Sequence, residues 1–318
     1  MALFLRDEEV RQAVSMDDML GAIESMQARF GQGEATNLPR RKIIAKGGML
    51  AVMGGGLFYD GVLGVKTYTV VKGVYSFQVS LYDADTGRLM CYTQANRLGQ
   101  LRTGATTALA VKYLARGDAA TVAILGTGYQ APTQLEAVRR VRDLGQVKAY
   151  SRNAQRRQEF ARTMSDSLGL EVAAAGSAQE AVEGSDVVIC IAATMSEPVV
   201  QGDWLATGST VVAAGPTTWR AREVDDATLT RADKLVVDSA EQAPLEAGDL
   251  ASAADRGLIQ WSQIQELRQV VAGNVKGRDN PQQIIYAKLM GTGVADVAAA
   301  KLAYDRAKAS GLGVELEW

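Results

Sequence analysis

Three cationic positions are the first candidates for chemistry in this sequence. Lys66 lies inside the apolar pattern VLGVKTYTV, and Arg102 directly precedes a run of small residues in LRTGATTALA. Arg41, or its neighbour Arg40, follows Pro39 at the start of a strand-rich segment. Taken singly, each is typical of a surface cation or a structural ion pair. Taken together they predict a clamp for a substrate carboxylate, in which arginine gives bidentate contact and lysine a point charge.

A glycine turn in the middle of the chain predicts a second site. The segment TVAILGTGYQAP (121–132) passes from an apolar run through the turn into a helical pattern. Gly126 permits the tight turn, Gly128 lets the backbone approach a pyrophosphate, and Ala131 keeps the helix close to the strand. Pro132 suits the first turn of that helix, whose N–H groups then face the phosphates. A glycine turn that serves packing alone is the alternative, but the strand–turn–helix context favours a dinucleotide site.

The end of the next strand predicts which nucleotide binds. In NAD-preferring domains an acidic residue there accepts a hydrogen bond from the ribose 2′-hydroxyl. Here the strand is followed by Ser151, Arg152 and Asn153, and then by Arg156 and Arg157. Hydroxyl, amide and guanidinium groups suit a 2′-phosphate, so we expect NADP(H) rather than NAD(H). The alternative is that the arginines only solvate a helix N-terminus, although the helix dipole disfavours cations there.

Short elements in the first third of the chain must position the cations. ALFL (2–5) predicts a strand, and Ser15 opens a capping box with Asp18 before an amphipathic helix. Between residues 40 and 100, short apolar or alternating segments separated by glycine turns predict a meander or barrel-like sheet. ATTALAVKYLA (105–115) predicts a helix.

After Gly117 the pattern changes to strands that alternate with helices. Buried strands are predicted at 121–125, 147–151, 171–176, 186–193, 209–215 and 234–239. This alternation is typical of an α/β fold with a parallel, doubly wound sheet covered on both faces. A last helix, 293–310, is expected to pack back on the first domain. The predicted domains are therefore 1–117 together with 293–318, and 118–292.

The composition argues against several classes of function. The 318 residues are 47% hydrophobic and 22% charged, include no histidine and carry a net charge of −2. These values are ordinary for a globular protein and suggest no nucleic-acid or membrane partner. Cys91 and Cys190 have no histidine with which to share a metal, so we expect no metal site and buried thiols in a reducing compartment. The acidic N-terminal segment and the absence of a long apolar run predict a cytoplasmic protein without a signal peptide.

Eight segments occur in an order that resembles the ornithine cyclodeaminase/mu-crystallin family, and they extend over essentially the whole chain. They are PRR (39–41), GVKTYT (64–69), DTG (85–87), RTGATTALA (102–110), GTGYQA (126–131), GPTTWRAREVD (215–225), VVDSAEQA (236–243) and GR…MGTGVADVAAA (277–300). The resemblance implies a Rossmann domain joined to a substrate and dimerisation domain made from both termini, and a homodimer. It also implies that Arg41, Lys66 and Arg102 hold the substrate carboxylate.

Cofactor contacts are expected in two of these segments and at further residues outside them. The expected residues are Arg102, Thr103, Gly126, Gly128, Tyr129, Gln130, Ser151, Arg152, Asn153, Arg156, Ala193, Thr194 and Ala214. The sequence also departs from the cyclodeaminase branch of the family. Thr217 stands where that branch has its acid/base aspartate, and Ala51 where it has a glutamate. Together with the missing NAD-selecting acidic residue, these departures favour the ketimine-reductase and amino-acid-dehydrogenase branches.

The absence of histidine bears on the reaction. Reduction of a 2-keto acid needs a proton delivered to oxygen, usually by histidine, whereas a protonated C=N bond already carries its proton. The preferred hypothesis is therefore NADPH-dependent reduction of a small cyclic or N-substituted α-imino acid with an apolar or neutral side chain. Lys66 is the expected proton-transfer group, because burial can lower its pKa, and water or Thr217 would assist.

Three alternatives from other classes stay open. A cyclodeaminase with bound NAD would release ammonia from ornithine without net change of the cofactor. An amino-acid dehydrogenase of the alanine type would need free ammonia as a substrate. An NADPH-dependent ligand-binding protein would bind the nucleotide tightly and turn over no imino or keto acid.

Overall fold

The computed structural model describes residues 1–193 and 197–317. The strands in these ranges are β1 (Ala2–Leu5), β2 (Ala35–Ala45), β3 (Gly48–Leu57), β4 (Val62–Val71), β5 (Val74–Asp83), β6 (Leu89–Gln94), β7 (Thr121–Leu125), β8 (Gln146–Tyr150), β9 (Val172–Ala174), β10 (Val187–Cys190), β11 (Thr210–Ala213), β12 (Lys234–Val237), β13 (Ile264–Glu266), β14 (Ile285–Lys288) and β15 (Val314–Leu316). The α-helices are α1 (Asp7–Ala13), α2 (Met16–Gly31), α3 (Asn96–Leu114), α4 (Ala131–Val141), α5 (Ala154–Leu168), α6 (Ala178–Val182), α7 (Asp226–Arg231), α8 (Ala243–Glu246), α9 (Gly248–Asp255), α10 (Leu267–Val271) and α11 (Gly293–Ala309).

The chain divides into two compact units. Unit 1 consists of Met1–Ala105 and Gly291–Trp318, and unit 2 consists of Thr106–Met290. The first division falls inside α3, earlier than Gly117, where the alternation of strands and helices begins in the sequence. Segments from both ends of the chain therefore belong to unit 1.

Unit 1 is built on a seven-stranded sheet with the order β15-β1-β6-β5-β4-β3-β2. Strands β2 to β6 follow one another as antiparallel neighbours, so the predicted meander is confirmed, as an open sheet. β1 extends it parallel to β6, and β15 pairs antiparallel with β1. The capping box at the start of α2 is also confirmed, since the Ser15 hydroxyl accepts a hydrogen bond from the Asp18 N–H at 3.1 Å.

Helix α11 packs on this sheet, as predicted for the last helix of the chain. Its close approach depends on glycines in the sheet. A Cβ on Gly55 would lie 2.6 Å from the Cα of Val294, and a Cβ on Gly64 would lie 2.7 Å from a methyl group of Val297. Gly55 in β3 and Gly64 in β4 are paired across the two strands. The first turns of α11 therefore lie against the strand that carries Lys66.

Helix α3 begins at Asn96, whereas the sequence predicted a helix only from residue 105. A distant side chain stabilises its first turn. Asp7 accepts hydrogen bonds from the Arg97 N–H at 2.8 Å and from the Asn96 amide at 2.6 Å. Because these acceptors come from another part of the chain, no local capping signal marks the start of the helix. Arg102 consequently lies within the helix rather than before it.

Unit 2 is a Rossmann-type fold with an eight-stranded parallel sheet in the order β13-β12-β14-β11-β10-β7-β8-β9. The strand order reverses at β7, which has β8 on one side and β10 on the other. Ligands of such sheets bind outside the carboxyl ends of the strands at this point. The doubly wound parallel sheet is thus confirmed, but β13 and β14 were not predicted. β14 is short, IYAK, and the buried Lys288 interrupts its apolar pattern.

The cysteines do not suggest redox or metal chemistry. Cys91 and Cys190 are buried free thiols, and burial raises the pKa of Cys91 to about 12, which disfavours the reactive thiolate. Within the described ranges, no group of three or more cysteine and acidic side chains could hold a metal ion. Over the same ranges, no helix combines the length and the apolar character that a bilayer crossing requires.

Candidate active site

A bulge in β2 decides which of two neighbouring arginines faces the interior of unit 1. The pairing of β2 with β3 shifts register between Leu38 and Arg41. Pro39 lies at this shift, where a missing N–H is tolerated. As a result Arg40 is only 7% exposed, whereas Arg41 is exposed to solvent. The sequence interpretation assigned Arg41 to the carboxylate clamp, but the interior position belongs to Arg40.

Lys66 is buried in β4 at the centre of a group of charged side chains. Its ammonium group donates to Oδ1 of Asp296 at 2.8 Å and lies 5.1 Å from the ring centroid of Phe77. Burial lowers the pKa of Lys66 to about 8. The carboxylate of Asp296 raises this pKa, whereas the positive charges of Arg102 and Arg40 lower it further. We call Arg40, Lys66, Arg102 and Asp296 the unit 1 cluster.

Arg102 reaches the same carboxylate oxygen from α3. Its Nε donates to Oδ1 of Asp296 at 2.9 Å, and the residue is 9% exposed. Gly291 has a φ of +77°, and a Cβ at this position would lie 2.7 Å from Nη1 of Arg102. A larger residue would therefore strain the backbone and displace the guanidinium group. Arg40 donates to the carbonyl oxygen of Gly291 at 3.4 Å, so both arginines lie beside this glycine.

Asp296 was not predicted from the sequence. It is fully buried in the first turn of α11. Burial alone would raise its pKa, but Arg102 and Lys66 outweigh burial and lower the pKa below its usual value. Among the described residues, no donor makes a hydrogen bond to its second oxygen, Oδ2. The signal in the sequence was a single acidic residue in the small and apolar stretch GVADVAAA.

The unit 1 cluster contains more positive than negative charge. Among the described residues, Arg40, Lys66 and Arg102 surround one carboxylate, that of Asp296, and each of the three cations lowers its pKa. Buried charge is unfavourable unless an opposite charge compensates it. An anionic group on a small ligand would add negative charge to this cluster. Thr103, which neighbours Arg102, donates its hydroxyl to the backbone carbonyl of Gly99 at 2.7 Å.

The glycine turn after β7 has the geometry of a phosphate-binding loop. Gly126 has a φ of +110°, and a Cβ there would lie 2.7 Å from the carbonyl carbon of Ile191. A Cβ on Gly128 would meet no atom of the described chain within 4 Å, so this side of the turn is open. α4 begins immediately afterwards at Ala131, which is fully buried. The positive end of this helix suits an anion at the open side.

The side chains of Tyr129 and Gln130 belong to the last part of the turn. Tyr129 is 59% exposed, so its ring lies at the protein surface. Gln130 is the N-cap of α4, and no donor among the described residues reaches its buried Oε1. A buried acceptor without a protein donor suits a ligand that carries hydroxyl or amide N–H groups. The hydroxyl groups of Thr127 and Ser151 lie 2.8 Å apart, which joins the turn to the end of β8.

The polar residues after β8 divide into structural and exposed groups. Asn153 caps α5 by accepting from the Arg156 N–H at 2.9 Å. Arg157 donates to the carbonyl of Ser151 at 2.6 Å and therefore stabilises the turn itself. The side chains of Arg152 and Arg156 are exposed at the same end of the strand. These two exposed cations are the ones that the sequence analysis expected at a 2′-phosphate.

The other predicted residues of unit 2 lie at the carboxyl ends of β10 and β11. Ala193 is exposed after β10, and Ala214 is buried after β11, where its N–H donates to the Cys190 carbonyl at 2.8 Å. Thr194 lies outside the described residues. Thr217 is half-buried in the loop that follows β11. The sites predicted after β7, β8, β10 and β11 thus share one edge of the parallel sheet.

A second group of buried charges lies in unit 2 and was not predicted. Lys288 in β14 donates to Oε2 of Glu223 at 2.6 Å and lies 3.5 Å from Oδ2 of Asp249. Tyr286 donates its hydroxyl to the same Asp249 oxygen at 3.2 Å. Burial would lower the pKa of Lys288, but Glu223 and Asp249 raise it. We call Glu223, Asp249, Tyr286 and Lys288 the unit 2 cluster.

The unit 2 cluster anchors the loop that carries Thr217. Glu223 accepts a hydrogen bond from the Gly215 N–H at 3.1 Å, at the start of this loop. Asp249 accepts from the N–H groups of Glu223 at 2.6 Å and Val224 at 3.0 Å, at its end. Both ends of the loop are therefore tied to the buried lysine.

A Rossmann-type unit with this glycine turn is characteristic of oxidoreductases that use a pyridine nucleotide. Residues 1–311 match the sequence profile of the Ornithine cyclodeaminase/mu-crystallin family, and the chain belongs to this family. The resemblance drawn from the eight sequence segments is thereby confirmed.

Three similar proteins show what this family contains. Delta(1)-pyrroline-2-carboxylate reductase of Bacillus cereus is 33% identical over 264 residues, which cover 80% of this chain and 81% of that protein. The structure of Thermococcus litoralis Delta(1)-pyrroline-2-carboxylate reductase in complex with NADH and L-proline has a TM-score of 0.94 at 34% identity, covering 99% of this chain and 100% of that one. An archaeal alanine dehydrogenase dimer with bound NAD has a TM-score of 0.93 at 31% identity, covering 100% and 99%.

Proposed function

We propose that the protein uses NAD(P)H, with NADPH preferred, to reduce the C=N bond of a small cyclic or N-substituted α-imino acid. The observation that carries the proposal is the buried, cation-rich unit 1 cluster in a chain that has no histidine. Membership of a family that includes reductases of a cyclic imino acid supports the same reaction class. The Thermococcus litoralis relative was solved with NADH and L-proline, a nucleotide and a cyclic amino acid of the proposed kinds.

In this proposal the unit 1 cluster binds the substrate carboxylate. Arg40 and Arg102 are buried guanidinium groups whose planar donors match a carboxylate, and Lys66 adds a point charge. Arg40 takes the role that the sequence interpretation gave to Arg41. Fixing the carboxylate on three side chains orients the adjacent C=N carbon, and such positioning supplies much of the rate in a reaction that needs little acid catalysis.

Lys66 is the proposed proton-transfer group. Because its pKa lies at about 8, it carries its proton at neutral pH and can exchange it with the substrate nitrogen. The proton keeps the C=N bond in the cationic form that accepts an electron pair. When bound, the reduced nicotinamide supplies the hydride. Thr217 or water is proposed to assist the proton transfer.

The residues of unit 2 fit a dinucleotide. Gly126 allows a backbone path that a Cβ would block, and the open side of Gly128 leaves room for a pyrophosphate at the start of α4. Relatives were solved with NADH or NAD. A preference for NADPH would therefore come from this chain's own Arg152 and Arg156, which are exposed after β8, where NAD-preferring domains carry an acidic residue.

The nucleotide preference is tested by replacing these two arginines. In the double variant Arg152→Ala and Arg156→Ala, kcat/KM for NADPH should fall by about tenfold or more, because each lost phosphate contact weakens binding, while kcat/KM for NADH stays within about twofold. Arg162→Ala, an exposed cation further along α5, is the matched control. An equal loss with both nucleotides would contradict the assignment.

The reaction itself is tested by a substrate screen in ammonia-free buffer. With NADPH and pyrroline-2-carboxylate or piperideine-2-carboxylate, the nicotinamide absorbance should decrease and the cyclic amino acid should accumulate. Ammonia release from ornithine without net nucleotide change would instead indicate a cyclodeaminase. Tight NADPH binding without turnover of any imino or keto acid would indicate a binding protein.

An ammonia-dependent amino-acid dehydrogenase is the second candidate. The observation that favours it is the archaeal alanine dehydrogenase, which is 31% identical with a TM-score of 0.93. The same carboxylate clamp would serve pyruvate, whose condensation with ammonia gives an imino acid. NADPH oxidation with pyruvate that depends on ammonia, and exceeds the rate with cyclic imines, would favour this function.

We also propose that the protein is a cytoplasmic homodimer. The archaeal relative was solved as a dimer, and two buried free thiols are in keeping with a reducing compartment. Light scattering coupled to size-exclusion chromatography should give twice the chain mass of 33.9 kDa. A monomer mass would contradict the proposed assembly.

A further inference from the structure

We propose that Asp296 is the positioning residue of the substrate-carboxylate site, because a single oxygen of its side chain holds both Lys66 and Arg102. This inference rests on the proposed function, since it assumes that these two cations bind an imino-acid carboxylate. Asp296 itself is given no contact with the substrate. It fixes the positions of the two cations, and it favours the protonated form of Lys66.

The geometry of the shared oxygen supports this role. Oδ1 of Asp296 lies 2.8 Å from Nζ of Lys66 and 2.9 Å from Nε of Arg102. The three residues come from β4, α3 and α11, so one carboxylate ties together three elements that are distant in sequence. Without it, two buried cations of like charge would repel each other at this place.

Asp296 is suited to this task because its own helix is firmly held. A Cβ on Gly293 would lie 2.2 Å from the carbonyl oxygen of Gly54, so the start of α11 lies directly against β3. The N–H of Val294 donates to Oδ1 of Asn37 at 3.3 Å and fixes the same turn to β2. The backbone that carries Asp296 therefore has little freedom to shift when a ligand binds.

Asp296 also sets the charge of Lys66. The groups that face Lys66 are Asp296 on α11, Arg102 on α3, Arg40 on β2 and the Phe77 ring on β5. Among the charged groups in the described part of the chain, Asp296 is the one that raises the pKa of the lysine. Loss of its charge would therefore lower the pKa of Lys66 below about 8, and the lysine would lose its proton at a lower pH.

The first test is Asp296→Asn, which keeps the shape of the side chain and removes its charge. KM for the imino acid should rise by at least about tenfold, while the dissociation constant for NADPH should stay within about twofold. The fall of kcat/KM at alkaline pH should begin at a lower pH than in the wild type. A purely structural role would change the folded fraction but would not move this pH limb.

Asp305→Asn is the matched control. Asp305 lies on the same helix, is exposed and pairs with Lys301 at 2.6 Å, so the variant removes an equal charge from α11 away from the unit 1 cluster. Its KM and pH profile should match those of the wild type. A folded Asp296→Asn protein whose KM and pH profile also match the wild type would overturn the proposal.

A second variant covers the case in which Asp296→Asn does not fold. Asp296→Glu keeps the charge but places it one methylene further from the helix. The alkaline limb should then stay near the wild-type pH, while KM for the imino acid still rises because Lys66 and Arg102 are displaced. An unchanged KM in the glutamate variant would overturn the positioning role.

Ligand binding separates this inference from the proposed reaction. Calorimetry with pyrrole-2-carboxylate, a planar carboxylate that is not reduced, in the presence of NADP⁺ needs no turnover. Binding to the wild type that is lost in Asp296→Asn would support the inference even if no imine is reduced, in which case only the proposed function fails. Equal binding to both proteins, or no binding to the wild type, would overturn it.

Discussion

Each unit contains a buried lysine that is surrounded by other charged side chains. The charges around the lysine are mainly positive in unit 1 and mainly negative in unit 2. Lys66 and Lys288 both lie on strands, are almost fully buried and donate to a buried carboxylate at 2.8 and 2.6 Å. In the described ranges, two further cations and one carboxylate lie around Lys66, and burial lowers the pKa of Lys66 to about 8. Around Lys288 there are two carboxylates, which raise its pKa in spite of burial.

In the proposed function, this difference distinguishes a binding site around Lys66 from a structural role of Lys288. A buried cluster with excess cations is compensated when an anionic ligand arrives, so it favours binding. A buried lysine surrounded by carboxylates has its charge compensated already, and its two acceptors also hold backbone N–H groups of a loop. We therefore expect Lys66 to matter mainly for catalysis and Lys288 mainly for stability.

Among the substitutions, the largest expected effect comes from replacing each lysine by methionine. Lys288→Met should destabilise the protein by about 3–5 kcal/mol, because Glu223 and Asp249 are left buried without their cation. Lys66→Met should change stability little, since Arg102 still pairs with Asp296, but should lower kcat/KM by about 100-fold or more. Thermal unfolding and steady-state assays on both variants provide the comparison. Equal losses of stability would show that the two clusters do not differ in role.

Replacing each of the two neighbouring arginines tests which of them the bulge in β2 directs toward the carboxylate site. Arg40→Ala should raise KM for the imino acid by roughly 10- to 100-fold, because a buried charged contact to the carboxylate is lost. Arg41→Ala should change KM by less than about twofold, because that side chain is exposed. The reverse order of effects would restore Arg41 as the carboxylate ligand.

A smaller effect is expected from pH. Lys66 is protonated below its pKa of about 8 and neutral above it. If the cation is required, kcat/KM for the imino acid should fall about tenfold per unit as the pH rises beyond that value. Ionisation of the substrate could produce a similar limb, so Lys66→Met is the control. An alkaline limb that persists unchanged in this variant would exclude Lys66 as its source.

Much of unit 2 could be predicted from the sequence because its signals are local. The glycine turn at 126–131 and the apolar strand before it lie within a few residues of one another, and each needs a particular residue type for a stated steric reason. Strands β7 and β10, next to each other at the strand-order reversal, follow from nearly continuous apolar runs. β14 escaped prediction because the buried Lys288 is compensated by Glu223 and Asp249, which are remote in the sequence.

In unit 1 the sheet could be predicted, but the cluster could only partly be predicted. Lys66 was identified because a cation inside an apolar strand is unusual. The choice between Arg40 and Arg41 depends on the register shift at Pro39, and a proline does not by itself show which of the two side chains faces the interior. Asp296 is contributed by a helix near the other end of the chain, and only the fold brings it against Lys66.

The most direct test of the cation-rich site is a comparison of two substrates that differ only in the carboxylate. The measurement is the ratio of kcat/KM for pyrroline-2-carboxylate to that for 1-pyrroline, with NADPH in ammonia-free buffer. A site that must pair its buried cations should reject the uncharged imine by about 1,000-fold or more, and the ratio should drop in Arg40→Ala and Lys66→Met. Similar kcat/KM values for the two imines in the wild type would contradict the assignment of the unit 1 cluster as a carboxylate site.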